Sequence, residues 1–229
     1  MSEQPRRTIK SFILRQGRLT LGQQRALDEQ WPDFGIDYEA TPLDLKTIFG
    51  NDNPVVLEIG FGNGESLLQM AAENPDQNFI GIEVHRPGVG HLLHLIQEHG
   101  IKNLRVMNHD AIDILQNQIP EHSLSRVQLY FPDPWHKKKH NKRRIVQAPF
   151  LDTLAKLLKT DGNIHFATDW EHYAKHMMLT LEEHPLFENS QIKQQFSPKP
   201  DYRPVTKFER RGHRLGHGVW DLIFNVCNK

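Results

Sequence analysis

Two hydrophobic rhythms alternate along residues 51–226. Residues 54–60 carry VVLEIG, a compact apolar run with β-branched positions that predicts a buried strand. Residues 65–73 set Leu67, Leu68, Met70 and Ala71 on one side of a predicted helix. A second strand is predicted over 79–84. Pro87 then stands near a helix start, where its missing N–H is harmless. Val89, Leu92, Leu93 and Ile96 keep helical spacing, and Gly100 ends that helix. Strands are predicted over 104–108 and 126–131, with a short helix over 111–115 between them. Pro149 opens a helix carrying Phe150, Leu151, Leu154, Leu157 and Leu158, closed at Asp161-Gly162. A fifth strand over 163–168 precedes a helix over 170–183. Two last strands are predicted near 191–196 and 219–226.

Strands that alternate with helices at this spacing build right-handed βαβ units. The expected fold is α/β: a Rossmann-like, doubly wound, mostly parallel seven-stranded sheet with helices on both faces. The last two strands have no helix between them and are expected to pair antiparallel at one edge. Residues 1–50 lack the alternation. They are expected to form a basic N-terminal extension, mobile at its start, ahead of a domain spanning 51–229. Within the extension, Thr20 and Gln23 predict a capping box for a short helix ending near Trp31.

Composition narrows the class. The 229 residues are 38% hydrophobic and 24% charged, too apolar for a disordered chain and too polar for a membrane protein. The apolar run at 11–14 lies between charges and is too short for a signal peptide. The single cysteine, Cys227, can form neither an internal disulfide nor a multi-cysteine zinc site, so a reducing, cytoplasmic location is expected. The net charge is zero, but the charges are segregated: +5 over 1–25, −11 over 28–83, +6 over 126–144 and +5 over 193–214. Basic blocks that meet in space would suit a polyanion.

The first strand runs into Glu58-Ile59-Gly60-Phe61-Gly62-Asn63-Gly64-Glu65. Glycines at a strand-to-helix turn let a ligand approach the backbone. The spacing is G-x-G-x-G, with Glu65 where the dinucleotide fingerprint has its last glycine. Glu58 and Glu65 would repel a pyrophosphate and attract a cation. S-adenosyl-L-methionine fits, with its ammonium, sulfonium and ribose. Glu83, ending the second strand, is placed to accept from a ribose diol. Asp110, ending the third, is placed to receive an adenine amino group.

The fourth strand ends in Phe131-Pro132-Asp133-Pro134-Trp135-His136-Lys137-Lys138-Lys139-His140-Asn141-Lys142-Arg143-Arg144. Two prolines stiffen the backbone around Asp133 at the sheet's C-terminal edge, and the basic run follows at once. This segment, with LEIGFGNGES at 57–66, GIEVHRPGVG at 81–90, FATDWEHYA at 166–174 and TKFERRG at 206–212, resembles the bacterial tRNA (guanine-N7-)-methyltransferases. The resemblance covers nearly the whole chain. It implies a class I S-adenosyl-L-methionine-dependent methyltransferase domain that modifies a guanine of the tRNA variable loop, at position 46. It implies that Asp133 is the catalytic acid and that Glu58, Gly60, Gly62, Gly64, Glu83, Asp110 and Asp133 line the cofactor site. Lys137, Asp169, Thr206, Lys207, Phe208 and Glu209 are implied to contact substrate. Lys139, His140, Asn141, Lys142, Arg143 and Arg144 are implied to contact RNA.

Guanine N7 is a neutral nitrogen with a free lone pair, so methyl transfer needs no obligatory base. The demands are positioning and stabilisation of cationic charge on the purine. Asp133 and Asp169, at neighbouring strand ends, are the two candidate carboxylates, with Glu209 a third. Trp135, Phe61 and Phe208 are candidate stacking rings, with structural packing the favoured reading of Trp135. Fourteen histidines include the i,i+4 pairs His172/His176 and His213/His217, yet no H-E-x-x-H or cysteine cluster accompanies them, so no metal is expected. tRNA is the expected partner, with no membrane or obligatory protein partner. Two other classes stay open: an NAD-dependent oxidoreductase on the same fold, disfavoured by the glycine spacing, and a non-catalytic RNA-binding module, which would not need the strand-end acids.

Overall fold

The VVLEI run forms the strand β2 (Val55–Ile59), buried at every position. It is the hinge of the sheet, because it pairs parallel with β3 (Asn78–Ile82) on one side and β5 (Leu124–Tyr130) on the other. The computed structural model describes residues 10–13, 17–206, 209 and 218–227. Beyond β3 lie β4 (Leu104–Met107) and then β1 (Gly35–Ile36); beyond β5 lie β6 (Leu158–Thr168), β8 (Trp220–Val226) and β7 (Phe187–Asn189). β8 runs antiparallel to both β6 and β7. The chain therefore leaves β2 toward one edge and later returns to its other side. That topological switch opens a crevice beyond the carboxyl ends of β2 and β5.

The two faces are covered separately. α1 (Leu21–Phe34), α3 (Glu65–Glu73) and α4 (Arg86–His99) bury Leu27, Leu67, Met70, Val89 and Leu92 against Val56, Phe79 and Val106. α5 (Ala111–Asn117), α6 (Ala148–Leu157) and α7 (Glu171–Glu182) bury Ile114, Leu154 and Met177 against Leu57, Val127 and Phe166. A short α2 (Leu45–Phe49) precedes β2.

The described sheet has eight strands, one more than the sequence pattern predicts. The extra strand, β1, is two residues long and sits inside the 1–50 segment. So short a strand leaves no period-two signal. Its register partners are Val106 and Met107. The capping box at α1 forms as predicted: Thr20 Oγ1 accepts from the Gln23 amide at 3.2 Å, and Gln23 Oε1 accepts from the Thr20 amide at 2.9 Å.

Two boundaries differ from expectation. The strand predicted near 191–196 lies earlier, at β7, because Asn189 Oδ1 accepts from the Gln191 amide and turns the chain out of the sheet. The helix predicted to close at Asp161-Gly162 ends at Leu157 instead, and Leu158 already belongs to β6. An apolar residue that is buried in either element cannot mark the change by its hydrophobicity.

Candidate active site

The glycine loop leaves β2 in left-handed backbone. Gly60, Gly62 and Gly64 have φ of 75°, 62° and 80°, a region that side-chain-bearing residues rarely enter. A Cβ on Gly64 would lie 2.7 Å from Leu92 of α4. The loop is also pressed from α4, where a Cβ on Gly88 would come within 2.0 Å of the Gly62 carbonyl oxygen. Gly88→Ala must displace that backbone. Overpacking of about 1–3 kcal/mol should lower the melting temperature by roughly 3–10 °C, measured by calorimetry.

Three acids reach this edge by different means. Glu83 follows β3, and its carboxylate is held by backbone: Oε2 accepts from the Gly62 amide at 2.9 Å, Oε1 from Val84 and His85 at 2.7 and 2.9 Å. Asp110 caps α5, accepting from the Ile112 amide at 3.1 Å, with Lys10 Nζ 3.7 Å away. Glu58 lies within β2, only 3% exposed, and its Oε2 has no hydrogen-bond partner among the described residues. Burial, and secondly the charge of Glu83, push its carboxyl up to about 8. Across the ladder its register partner is Gln128, fully buried, with neither amide atom partnered among the described residues. Among the described residues, Glu58 Oε2 is a buried acceptor left for another group to satisfy.

Two cavities meet here. One of about 540 Å³ is lined by Glu83, Asp110, Asp133 and, from the N-terminal segment, Ser11, Phe12 and Ile13. The other, of about 380 Å³, is lined by Glu58, Gly60, Gly62, Gly64, Glu65 and Thr206. Gly60, His85, Tyr130 and Phe131 belong to both, so the two are lobes of one elongated site. A third cavity of about 450 Å³ adjoins them through Asp133 and Ile13 and reaches Trp135, Lys137 and His140.

Asp133 stands on a strained turn. Phe131 and Trp135, on either side of it, have φ of 52° and 46° without being glycine. The Phe131 amide donates to Ala167 at 2.8 Å. Trp135 donates through Nε1 to the Ser11 carbonyl at 2.9 Å and packs under Arg143, whose guanidinium carbon is 3.9 Å from the ring centre. The ring is thus a structural post, as favoured from sequence. Arg143 also donates to the Lys10 and Phe12 carbonyls, both at 3.1 Å, and so straps 10–13 over the larger lobe. Asp133, Lys137, Lys139 and Lys142 are exposed, while His140 and Asn141 are half-buried. Asp169, half-buried, sits between β6 and α7.

Two of the residues expected at the site are buried. Arg144 is 3% exposed and donates to the Pro134 carbonyl at 2.9 Å. Glu209 is held in an ion pair. It is 2% exposed and takes both Nη groups of the fully buried Arg203, which also grips Asp221. An arginine in a basic run and a glutamate in a charged loop carry no mark of burial in their own sequence. Phe61 packs in the core of the α3/α4 face while touching the smaller lobe. Lys207, Phe208, His213 and His217 lie outside the described residues. Among the described residues, no group of His, Cys, Asp and Glu could hold a metal, and no helix is long and apolar enough to cross a membrane. His176 is engaged with the Val146 carbonyl and His172 with Arg144.

A family model described as "Putative methyltransferase" matches residues 52–222. A tRNA (guanine-N(7)-)-methyltransferase of Cronobacter sakazakii is 59% identical over 220 residues, covering 96% of this chain and 92% of that protein. The same-named protein of Hydrogenovibrio crunogenus is 57% identical over 219 residues, covering 96% and 91%.

The chain belongs to the tRNA (guanine-N7-)-methyltransferase family.

Solved structures agree on the fold. The aminoglycoside resistance methyltransferase NpmB1 superposes with a TM-score of 0.57 at 16% identity, covering 83% of this chain and 95% of that one. The 16S rRNA methyltransferase KamB gives 0.54 at 14%, covering 82% and 95%. Within this family member, Tyr130 at the cavity and the buried Gln128 beside Glu58 escape a motif reading. Tyr130 lines both lobes and meets His165 Nδ1 at 2.9 Å, and Gln128 looks like any residue of a buried strand. Alternation along β5 was the available signal, since Gln128 and Tyr130 share the face of Glu58.

Proposed function

We propose that this chain transfers the methyl group of S-adenosyl-L-methionine to N7 of guanine 46 in the tRNA variable loop. The observation that carries this reading is the two-lobed cavity whose wall holds the buried carboxylate of Glu58, its Oε2 without a partner among the described residues, and whose other lobe is lined by Asp133 at the head of the basic run. A buried carboxylate without a partner suits a cationic ligand group. When bound, the cofactor supplies a methyl group on a positively charged sulfur. Glu58 receives the ammonium, with Gly60, Gly62 and Gly64 giving close backbone approach. Glu83 keeps acceptor capacity for the ribose diol, and Asp110 for the adenine amino group. Thr206 closes the smaller lobe.

Asp133 accepts hydrogen bonds from the N1–H and N2–H edge of guanine. It holds N7 in line and offsets the positive charge that develops on the purine. Asp169 is the second carboxylate facing the base, and Lys137 contacts the same nucleotide. No proton has to leave N7. Lys139 and Lys142 meet phosphates, with His140 and Asn141 beside them. Phosphate contacts of this kind orient a folded tRNA, and base contacts select the guanine. Arg143 serves the RNA face indirectly, by holding residues 10–13.

Replacing Lys139 and Lys142 together by Ala should weaken tRNA binding and make its salt slope shallower by about one to two units, at roughly 0.9 per phosphate contact. Cofactor affinity should stay unchanged in calorimetry. The cofactor class is tested by thermal shift: S-adenosylhomocysteine should raise the melting temperature and NADH should not. The reverse result would overturn the reading in favour of an oxidoreductase.

A further inference from the structure

Among the side chains that hold the strained turn at Asp133, Arg144 is the one that ties it to α7. Arg144 is 3% exposed and donates through Nε to the carbonyl of Pro134, the residue after Asp133, at 2.9 Å. Its Nη2 lies 3.1 Å from Nδ1 of His172 in the first turn of α7. Arginine only donates, so Nδ1 accepts and the imidazole proton sits on Nε2. The guanidinium lies over Tyr173, 4.7 Å from the ring centre. Its own amide donates to the Asn141 carbonyl at 3.0 Å, and its carbonyl accepts from Gln147 Nε2 at 2.8 Å.

These contacts join two pieces of chain just beyond the paired ends of β5 and β6, where the ladder itself no longer holds them. One is the Pro132–Asp133–Pro134 turn beyond β5. The other is His172 in the first turn of α7, three residues after Asp169. A second contact bridges the same gap, since the rings of His136 and Trp170 meet edge to face with centres 4.2 Å apart. Arg144 is thus fastened at three points, to a carbonyl, an imidazole and a phenol ring. A planar fork satisfies all three, and a lysine ammonium cannot. Burial lowers the proton affinity of the guanidinium, yet an arginine stays charged under such a shift. Its charge is turned inward, so it does not present itself to a phosphate.

We propose that Arg144 is a positioning residue for the methyl transfer: by clamping the Pro134 carbonyl to His172 and Tyr173 it fixes Asp133 relative to Asp169 at the guanine site. The proposal rests on the reading of Asp133 as the group that meets guanine. Arg144 itself touches neither cofactor nor substrate. Its neighbours Lys139 and Lys142 carry the contacts to RNA, and the two functions sit in one basic run because the 3₁₀ turn Lys138–Arg143 faces solvent while the next residue turns in.

The test compares Arg144→Lys, Arg144→Met, Asp133→Asn and the double variant Asp133→Asn/Arg144→Lys. Single-turnover methylation of unmodified tRNA at saturating cofactor is read beside tRNA affinity across a salt series. Arg144→Lys should lower the single-turnover rate at least tenfold, with tRNA affinity within about twofold and an unchanged salt slope. The double variant should be no slower than Asp133→Asn alone, because both changes act through one group. Should Arg144→Met fail to fold, Arg144→Lys and His172→Phe, which removes the acceptor while keeping a ring, carry the test. Weaker tRNA binding with a shallower salt slope and a normal single-turnover rate would make Arg144 an RNA contact and overturn the proposal. So would a lowered melting temperature with a normal rate, or effects that multiply in the double variant. Failure of the underlying reading has its own signature: Asp133→Asn alone would keep the wild-type rate.

Discussion

Asp133→Ala is expected to lower kcat by roughly 10²-fold or more, the scale of one lost preorganised electrostatic contact. Asp133→Asn should fall comparably. It keeps the shape of the side chain but removes the charge and turns an amide donor toward guanine donors. Neither change should unfold the protein. The turn is held by groups other than the Asp133 carboxylate: the Phe131 amide on Ala167, the Trp135 indole on Ser11 and Arg144 on Pro134. Calorimetric binding of S-adenosylhomocysteine should persist in both variants. Because N7 carries no proton, no deprotonation of the base should be needed for transfer. Wild-type turnover by Asp133→Ala in a single-turnover assay would transfer the role to Asp169.

Glu58→Gln should have the second large effect, opposite in sign for stability and for binding. The folded, ligand-free protein holds the Glu58 proton up to about pH 8, whereas the ordinary value is 4.5. Between these values the unfolded chain has released a proton that the folded state keeps. The group's contribution to stability is therefore full below 4.5 and is lost as pH rises through about 8. Glu58→Gln removes that loss, so its melting temperature should gain on wild type steadily across this window. Binding runs the other way. A ligand ammonium selects the ionised carboxylate, so wild-type affinity for S-adenosylhomocysteine should rise with pH up to about 8 and then level. The glutamine variant should bind about 5- to 150-fold more weakly at that pH, the loss of one charge-assisted hydrogen bond of about 1–3 kcal/mol, without the pH dependence. Titrations at pH 7 in buffers of different ionisation enthalpy should show proton release for wild type only. Equal proton uptake by both proteins would remove Glu58 from the cofactor site.

Much of this site is legible in the sequence because its parts obey local rules. The glycine loop announces itself through three residues that must adopt positive φ, and the capping box through Thr20 and Gln23. Glu83 and Asp110 follow strands whose apolar runs are unambiguous. What escapes is set by long-range packing. Whether an arginine of a basic run faces water or a phenol ring depends on α7, thirty residues away, and so Arg143 and Arg144 look equivalent until the fold separates them. Glu209 looks like a solvent-facing acid until Arg203 and Asp221 enclose it. β1 is too short for any period, and its pairing with β4 depends on the packing of α1 against α4. Asn189 ends β7 through its own side chain, a local device whose effect competes with an apolar pattern that continues to Phe196.

Methyl transfer from isotopically labelled S-adenosyl-L-methionine to unmodified tRNA, followed by nuclease digestion and nucleoside mass spectrometry, tests the whole account at once. Label should appear in 7-methylguanosine alone, map to the variable loop, and fall by roughly 10²-fold or more in initial rate with Asp133→Ala. Label in 1-methylguanosine, in an exocyclic methylamine or in no nucleoside at all would contradict it.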